Sequence, residues 1–247
     1  MDMFECQKPL LIAHRGYTPA APENSLASFN EAAKRHYWAI ETDVHSTKDG
    51  VLVCCHNKSL LHMFGIDIMI ENATYDELRS YRICKGNNIE ELNDDLLRIP
   101  LFEEYLKICK DSGCVAFIET KGNVVAPVID MVKHMKLTDR AVLSSTLYDH
   151  IVHARNISDI FVHHIFSDHQ KMLEISQMGN GGVSYNYPNL DDVPYGLIEQ
   201  THKHNVKVCL RAGDNRDTVN RMLALGLDYI PTNCFVPESK APQKMQI

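Results

Sequence analysis

The feature that most limits how this chain can fold is a regular alternation of segment types after Pro100. Segments whose apolar residues recur at helical spacing alternate there with short apolar runs of strand length. With two earlier runs, the pattern predicts eight strands at residues 10–13, 38–44, 114–119, 141–144, 160–162, 182–185, 206–210 and 228–231. Alternating strands and helices indicate a parallel sheet, and eight such units close into a (β/α)8 barrel, a TIM barrel.

The alternative to a closed barrel is an open, doubly wound sheet. Such a sheet would favour a glycine-rich phosphate loop after the first strand, and neither G-x-G-x-x-G nor a P-loop motif occurs. The 247 residues match the usual length of one barrel, and no linker divides them. We therefore expect residues 1–247 to form a single α/β barrel domain.

Two additions to the simple barrel are expected. Asp49-Gly50 predicts a tight turn, so residues 51–55 should return as a small extra hairpin strand, with Asp43 opposite Cys54 and Glu41 opposite His56. Residues 58–100 have no regular period and form an insertion after the hairpin. That insertion could be a substrate lid or a plain connecting loop, and the pattern does not decide between them.

Composition limits the partners and the chemistry. The formal net charge is −7 with no basic run, so we expect no nucleic-acid binding. No run of about 20 apolar residues is present and the N-terminus lacks the features of a signal peptide, so we expect a cytoplasmic protein without a membrane span. No C-x-x-C occurs among the eight cysteines, which we expect to be buried free thiols. The eight are Cys6, Cys54, Cys55, Cys84, Cys109, Cys114, Cys209 and Cys234. Of these, Cys54 is the one near the expected reaction centre.

In a barrel of this class the chemistry lies at the carboxyl ends of the strands. Three carboxylates from adjacent strands would meet there and repel one another unless a cation bound them, and all-oxygen ligands suit Mg²⁺ or Ca²⁺. Two cationic side chains beside them favour an anionic substrate, most simply a phosphate ester, and two histidines can share the proton transfers. The expected metal ligands are Glu41, Asp43 and Glu119; the expected catalytic residues are His14 and His56; the expected substrate and phosphate contacts are Arg15, Lys121, Arg211 and Tyr185.

Five motifs together resemble the glycerophosphodiester phosphodiesterase family: H-R-G at 14–16, P-E-N at 22–24, E-T-D-V at 41–44, D-G-V-L-V-C-C-H-N at 49–57 and E-T-K at 119–121. The resemblance implies a barrel that hydrolyses glycerophosphodiesters to an alcohol and glycerol 3-phosphate. It also implies catalysis by His14 and His56, with a divalent cation on the three carboxylates. In the family scheme, the glycerol 2-hydroxyl can attack first to give a cyclic phosphate. Glu23 of P-E-N is expected to brace the first loop.

The chain departs from the family pattern at three places. Asn57 stands where the family usually has Asp, Leu210-Arg211 where it commonly has Trp-Thr, and Asn233 where it usually has Asp. A cation at Arg211 in place of an aromatic wall suggests an altered or more anionic substrate. Two other readings stay open: a phospholipase D-like lyase that stops at the cyclic phosphate, and an inactive barrel that binds a phosphoester.

Overall fold

Eight parallel strands form a barrel wall in the computed structural model, which describes residues 3–4 and 10–237. The strands are β1 Leu10–Ala13, β2 Ala39–Ser46, β3 Leu52–Cys54, β4 Val115–Thr120, β5 Ala141–Ser145, β6 Phe161–His164, β7 Gly181–Asn186, β8 Lys207–Arg211 and β9 Tyr229–Pro231. The order around the wall is β8-β7-β6-β5-β4-β2-β1-β9, and β3 pairs with β2 outside this path. Between β8 and β9 the backbone N–H of Asp228 donates to the carbonyl of Val208 at 3.0 Å, which brings the two ends of the path together. The predicted (β/α)8 architecture is confirmed.

The helices cover the outside of the barrel and begin where the sequence supplies capping side chains. Ser25 caps the first helix through the N–H of Ser28, and Asp168 caps the seventh through the N–H of Lys171. The eighth helix begins at Leu197, directly after Gly196, whose left-handed φ of 79° suits glycine. The helices are α1 Leu26–Lys34, α2 Leu61–Phe64, α3 Tyr75–Arg79, α4 Phe102–Ser112, α5 Val125–His134, α6 Tyr148–Ile157, α7 His169–Met178, α8 Leu197–Lys203 and α9 Arg216–Leu223.

The core has two layers, as alternation along barrel strands requires. One layer packs between the strands and the helices, and the other fills the inside of the barrel. At the amino-terminal ends of the strands the inner layer is aromatic, with Trp38 stacked on Tyr229 at 5.8 Å between ring centroids. The inside of the barrel is therefore filled at that end, which leaves the carboxyl-terminal mouth for a site.

The hairpin is present, but its predicted register is wrong by one residue. Val44 pairs with Cys54, and the N–H of Cys55 donates to the carbonyl of Asp43 at 2.9 Å. The cause is the turn: the N–H of Thr47 donates to Val51, and Gly50 adopts φ 82°, so the loop is longer than a two-residue turn. Asp43 consequently faces Cys55, not Cys54.

The insertion at residues 58–100 is folded and not a plain loop. It has a second apolar cluster, formed by short helical turns packed against Val53 and Cys55 of the hairpin. Two amides fasten it to the β1–α1 segment, since Asn87 Nδ2 donates to the carbonyl of Thr18 at 2.9 Å and Asn88 Nδ2 to that of Ala20 at 3.1 Å. The insertion thus forms a fixed wall beside the end of β1.

Two further expectations concern thiols and membranes. The seven cysteines within the described residues are free, and five of them are buried; Cys84 and Cys234 are exposed, and Cys6 lies outside the described residues. Burial raises the pKa of Cys54 far above its ordinary value, so this thiol is held protonated. Among the described helices, none has the length and apolar character needed to span a bilayer.

Candidate active site

Three carboxylates meet at the carboxyl-terminal mouth of the barrel. Glu41 and Asp43 lie two residues apart on β2, so both point to the inside, and Asp43 is paired in register with Glu119 on the neighbouring strand β4. One oxygen from each of the three lies within 4.8 Å of the other two. Glu41 is 6% exposed and Asp43 fully buried. The structure brings together all three predicted metal ligands.

The charges of these groups are strongly coupled. Burial raises the pKa of Glu41, and the neighbouring carboxylates Asp43 and Glu119 raise it further. Burial and Asp43 likewise raise the pKa of Glu119. For Asp43, burial acts in the same direction, but Lys121 and other nearby cationic groups outweigh it and hold its pKa below the ordinary value. An oxygen cluster with this mutual repulsion can hold a hard divalent cation.

Arg15 is fixed in the cluster by its backbone and its side chain. It adopts a left-handed φ of 57° at the turn after β1, and its N–H donates to Glu41 Oε2 at 2.7 Å. Its guanidinium lies 3.0 Å from Glu23 Oε2 and 3.7 Å from Asp43 Oδ2. The Arg15–Glu23 contact braces the first loop, as expected for the P-E-N motif.

Lys121 lies on the other side of the same carboxylates. Its Nζ is 3.0 Å from Asp43 Oδ1 and also forms an ion pair with Glu119. Burial would lower the pKa of Lys121, but these two carboxylates raise it above its ordinary value, so the side chain stays charged. Two cationic side chains, those of Arg15 and Lys121, therefore flank the three carboxylates.

His14 and His56 reach the site from the ends of β1 and β3. His14 Nε2 lies 4.0 Å from Glu41 Oε2, and its side chain is 47% exposed. Although the ring is accessible, its partial enclosure by protein and the adjacent Arg15 lower its pKa from 6.5 to about 4. His56 Nδ1 is hydrogen-bonded to Asn57 Oδ1 at 2.6 Å. Asn57 thus serves as an acceptor for the imidazole in the place where the family usually has Asp.

Sequence reasoning assigned no role at the site to Asn24. Its Nδ2 donates to Asp43 Oδ2 at 3.1 Å, and its Oδ1 accepts from Thr42 Oγ1 at 2.7 Å. Ser25, and not Asn24, caps the helix that follows. In the sequence, the place of Asn24 in the P-E-N motif was the one indication of a role at the site.

A second missed residue is Asp214, which connects the ends of β8 and β9. It accepts hydrogen bonds from Thr232 Oγ1 at 2.5 Å and from the N–H of Asn233 at 2.7 Å. Asn233 Nδ2 in turn donates to the carbonyl of His14 at 2.8 Å. These contacts run between loops, and no spacing in the sequence indicates them.

Two cavities meet at His14, Arg15 and Asp214. The barrel cavity, of about 400 Å³, contains the surfaces of Glu41, His56, Glu119 and Lys121 and extends to Arg211. The outer cavity, of about 430 Å³, lies between the β1–α1 segment, the insertion and the segment after β9. It is lined by side chains that include His14, Arg15, Glu23, Met63, Lys85 and Asn233.

The structure places Arg211 and Tyr185 differently. Arg211 lies on the rim of the barrel cavity, with its guanidinium over the ring of Phe166 at 5.1 Å. Tyr185 is buried in the outer layer, where its hydroxyl lies 3.2 Å from Thr201 Oγ1 on α8. The expectation of a substrate contact is therefore corrected for Tyr185, because alternation along β7 directs Ser184 to the cavity and Tyr185 to the helices.

Comparisons with known proteins match this geometry. The sequence model of the glycerophosphoryl diester phosphodiesterase family matches residues 14–235. The glycerophosphodiester phosphodiesterase of Caldanaerobacter subterraneus is 26% identical over 92% of this chain and 94% of that protein. The match to the uncharacterized protein YqiK of Bacillus subtilis, at 28% identity, covers 56% of this chain and 58% of that protein's length.

Solved structures share the fold. An Oleispira antarctica phosphodiesterase, solved with its product sn-glycerol-3-phosphate, superposes with a TM-score of 0.80 at 21% identity, over 92% of this chain and 93% of that chain. A glycerophosphodiester phosphodiesterase from Parabacteroides distasonis has a TM-score of 0.73 at 25% identity, over 90% and 92% of the two chains. The sequence match spans the motifs that meet at the mouth of the barrel, and the chain belongs to the glycerophosphoryl diester phosphodiesterase family.

Proposed function

We propose that this protein is a phosphodiesterase that hydrolyses glycerophosphodiesters to an alcohol and glycerol 3-phosphate, using a divalent cation. The observation that carries the proposal is the meeting of three carboxylates, two cationic side chains and two histidines at one mouth of the barrel. Membership of the family supports it, because phosphodiester hydrolysis gives that family its name. The Oleispira antarctica neighbour, whose structure contains glycerol 3-phosphate, supports the same product.

The proposed cation ligands are Glu41, Asp43 and Glu119. Their oxygens are close together, and burial and mutual repulsion destabilise the charges of Glu41 and Glu119, so a bound cation would relieve a cost that the protein already has. The donor set fits Mg²⁺ or Ca²⁺ better than zinc, because it offers oxygen alone. When bound, such an ion would polarise a phosphoryl oxygen and offset its charge.

The two cationic side chains are proposed to hold the phosphate. Each lies close to a different carboxylate oxygen of Asp43, Arg15 at 3.7 Å and Lys121 at 3.0 Å. A phosphodiester anion placed between them would gain two charged donors and lie beside the carboxylate cluster. The same pair would fix the phosphorus atom with respect to the two imidazoles.

The proton transfers are proposed to be divided between His56 and His14. With Nδ1 bound to the oxygen of Asn57, the neutral His56 ring keeps its proton there and leaves Nε2 free to accept one from the attacking hydroxyl. His14 would donate to the leaving oxygen. An incoming phosphate anion favours the protonated form of His14, because it adds negative charge beside a ring whose other neighbour is Arg15.

Arg211 is proposed to contact the part of the substrate that lies away from phosphorus. It reaches the rim of the barrel cavity, and Phe166 supports its guanidinium. A cation at this position favours a substrate with additional negative charge.

The proposed cytoplasmic location and the single-domain organisation over 1–247 remain predictions from the sequence.

The test is product formation with and without the cation. Purified protein with glycerophosphoethanolamine should release sn-glycerol 3-phosphate in Mg²⁺ or Ca²⁺, lose this activity in EDTA, and regain it when the ion is restored. Calorimetric titration of the ion should show a site that Glu119→Gln weakens, which gives a readout independent of turnover. Full activity in EDTA would contradict the cation's role. Phosphorus NMR of the products distinguishes the hydrolase from a lyase, which would accumulate cyclic phosphate.

A further inference from the structure

The outer cavity adjoins the barrel cavity, which holds the proposed reaction centre. His14, Arg15 and Asp214 line both cavities, whereas Glu41, Glu119 and Lys121 line the barrel cavity and not the outer one. In an in-line displacement at phosphorus, the attacking and leaving oxygens lie on opposite sides. If the glycerol phosphate occupies the barrel cavity, the departing alcohol points past His14 into the outer cavity.

The wall of the outer cavity contains two buried acceptors that have no hydrogen-bond partner. Glu23 uses Oε2 to bind Arg15 Nη1, and its Oε1 has no partner among the described residues. Asn233 uses Nδ2 to bind the carbonyl of His14, and its Oδ1 likewise has none. Buried oxygens are normally satisfied, so an acceptor pair of this kind favours a ligand that brings N–H or O–H donors.

The remaining wall is formed by the insertion and is held in place. Asn87 and Asn88 donate hydrogen bonds to the carbonyls of Thr18 and Ala20. Gly86 packs so closely against Pro22 that a Cβ at this position would lie 2.7 Å from Pro22 Cα. Lys85 and Met63 of the insertion and Glu23 of the β1–α1 segment line the same cavity. The cavity is therefore a built feature of the fold, and its shape does not depend on a free loop.

The wall lacks the side chains that bind quaternary ammonium groups. Such groups are recognised by the faces of aromatic rings. Of the described residues that line the outer cavity, none is Phe, Tyr or Trp. A trimethylammonium group has no N–H to offer, so it would leave the oxygens of Glu23 and Asn233 without donors.

We propose that the outer cavity binds the leaving alcohol and selects alcohols with a further hydrogen-bond donor over alcohols without one. The proposal rests on the proposed function and specifies its substrate class. The donor can be the ammonium of an amino alcohol or a hydroxyl of a polyol. Glu23 and Asn233 are its specificity-determining residues, because they supply the acceptors.

The test compares three glycerophosphodiesters with the cation present: the ethanolamine, glycerol and choline esters. Ethanolamine and choline differ in three N-methyl groups, which makes them a matched pair. We expect kcat/KM for the ethanolamine and glycerol esters to exceed that for the choline ester by at least about tenfold. A preference for the ethanolamine ester alone would identify the donor as an ammonium. Equal values for the three, or a preference for choline, would overturn the proposal.

Two variants test which residue causes the preference. For each, the measured quantity is kcat/KM for the ethanolamine ester divided by kcat/KM for the choline ester, a ratio in which any general loss of activity cancels. Glu23→Gln should bring the ratio towards one, because the amide oxygen can face Arg15 while its NH₂ replaces the acceptor. Lys85→Ala is the control, since its charge acts equally on both cationic alcohols, and its ratio should match that of the wild type. An unchanged ratio in Glu23→Gln would overturn the assignment. Hydrolysis of none of the three esters would instead contradict the proposed function itself.

Discussion

His56 Nδ1 lies 2.6 Å from Asn57 Oδ1, so the residue next along the chain orients the imidazole. An amide oxygen accepts the Nδ1 proton as a carboxylate would, and this leaves Nε2 as the acceptor towards the cavity. The amide adds no negative charge beside the ring. The departure from the family pattern at this position therefore preserves the orientation of His56 while changing its electrostatics.

Replacement of Asn57 tests this orientation. Asn57→Leu has a similar size but no acceptor, so we expect kcat to fall at least about tenfold, because His56 loses its fixed tautomer. Asn57→Asp keeps an acceptor and should retain most of the activity. Steady-state kinetics on both variants is the measurement, and wild-type turnover by Asn57→Leu would exclude an orienting role.

The contact of Asn24 with Asp43 predicts a supporting role in cation binding. Asn24→Gly removes the amide but accepts the left-handed φ of 48°, so the backbone is not strained. We expect the dissociation constant for Mg²⁺ or Ca²⁺ to rise by about 10–100-fold, as for other partners of metal ligands. Asn205→Gly is the matched control, since Asn205 is exposed after α8 and has a φ of 56°. Equal affinity in the two variants, measured by calorimetry, would contradict this role.

Lys121 couples the charge of the cluster to the bound cation. Lys121→Met removes the cation that lies 3.0 Å from Asp43, so the carboxylates repel one another more strongly in the free protein. We expect the rise in Tm on adding Mg²⁺ or Ca²⁺ to be larger in the variant than in the wild type, together with a lower kcat. Thermal unfolding in EDTA and in excess cation measures this difference, which should vanish if Lys121 is unrelated to the site.

His163 on β6 predicts a dependence of stability on pH. It is 2% exposed and bonded through Nδ1 to the Tyr229 hydroxyl at 2.5 Å, and burial lowers its pKa to about 3. Above pH 6.5 the ring is neutral in both the folded and the unfolded chain, so the contribution of His163 to the free energy of unfolding is fully present. As the pH falls below that value, the unfolded chain binds a proton that the folded protein does not, so stability decreases by about 1.4 kcal/mol per pH unit down to about pH 3.

Chemical denaturation of the wild type and of His163→Gln between pH 7 and pH 4 measures this dependence. The other titrating groups are common to both proteins, so the difference between the two slopes isolates His163. We expect the free energy of unfolding of the variant to fall less steeply with decreasing pH. Parallel slopes would show that the folded protein protonates His163 as readily as the unfolded chain does.

The barrel and most of the site follow from the sequence because they depend on local spacing. Strand alternation places Glu41 and Asp43 on one face, and the parallel order brings Glu119 beside them. The expectation for Tyr185 was wrong by one position on β7, where alternation directs Ser184 to the cavity, because a shift of one residue exchanges the two faces of a strand. The hairpin register fails for the same reason, since the length of the turn was underestimated.

The remaining parts of the site, including the outer cavity, depend on contacts between loops that are distant in the chain. Asn233 reaches the carbonyl of His14, 219 residues away, and Asn87 reaches Thr18, 69 residues away. Such contacts have no period or spacing by which they could be predicted from one sequence. The outer cavity is formed by these contacts, and for that reason it became visible only in the folded structure.

The most direct test of the account is the turnover of His14→Ala and His56→Ala with a glycerophosphodiester in the presence of the divalent cation. Each variant should keep the Tm of the wild type to within a few degrees, because both rings lie at the mouth of the barrel and not in its core. Each should lose at least about 100-fold in kcat, the usual contribution of a general acid or base. Near-normal release of glycerol 3-phosphate by either variant would contradict the proposed division of proton transfer between the two histidines.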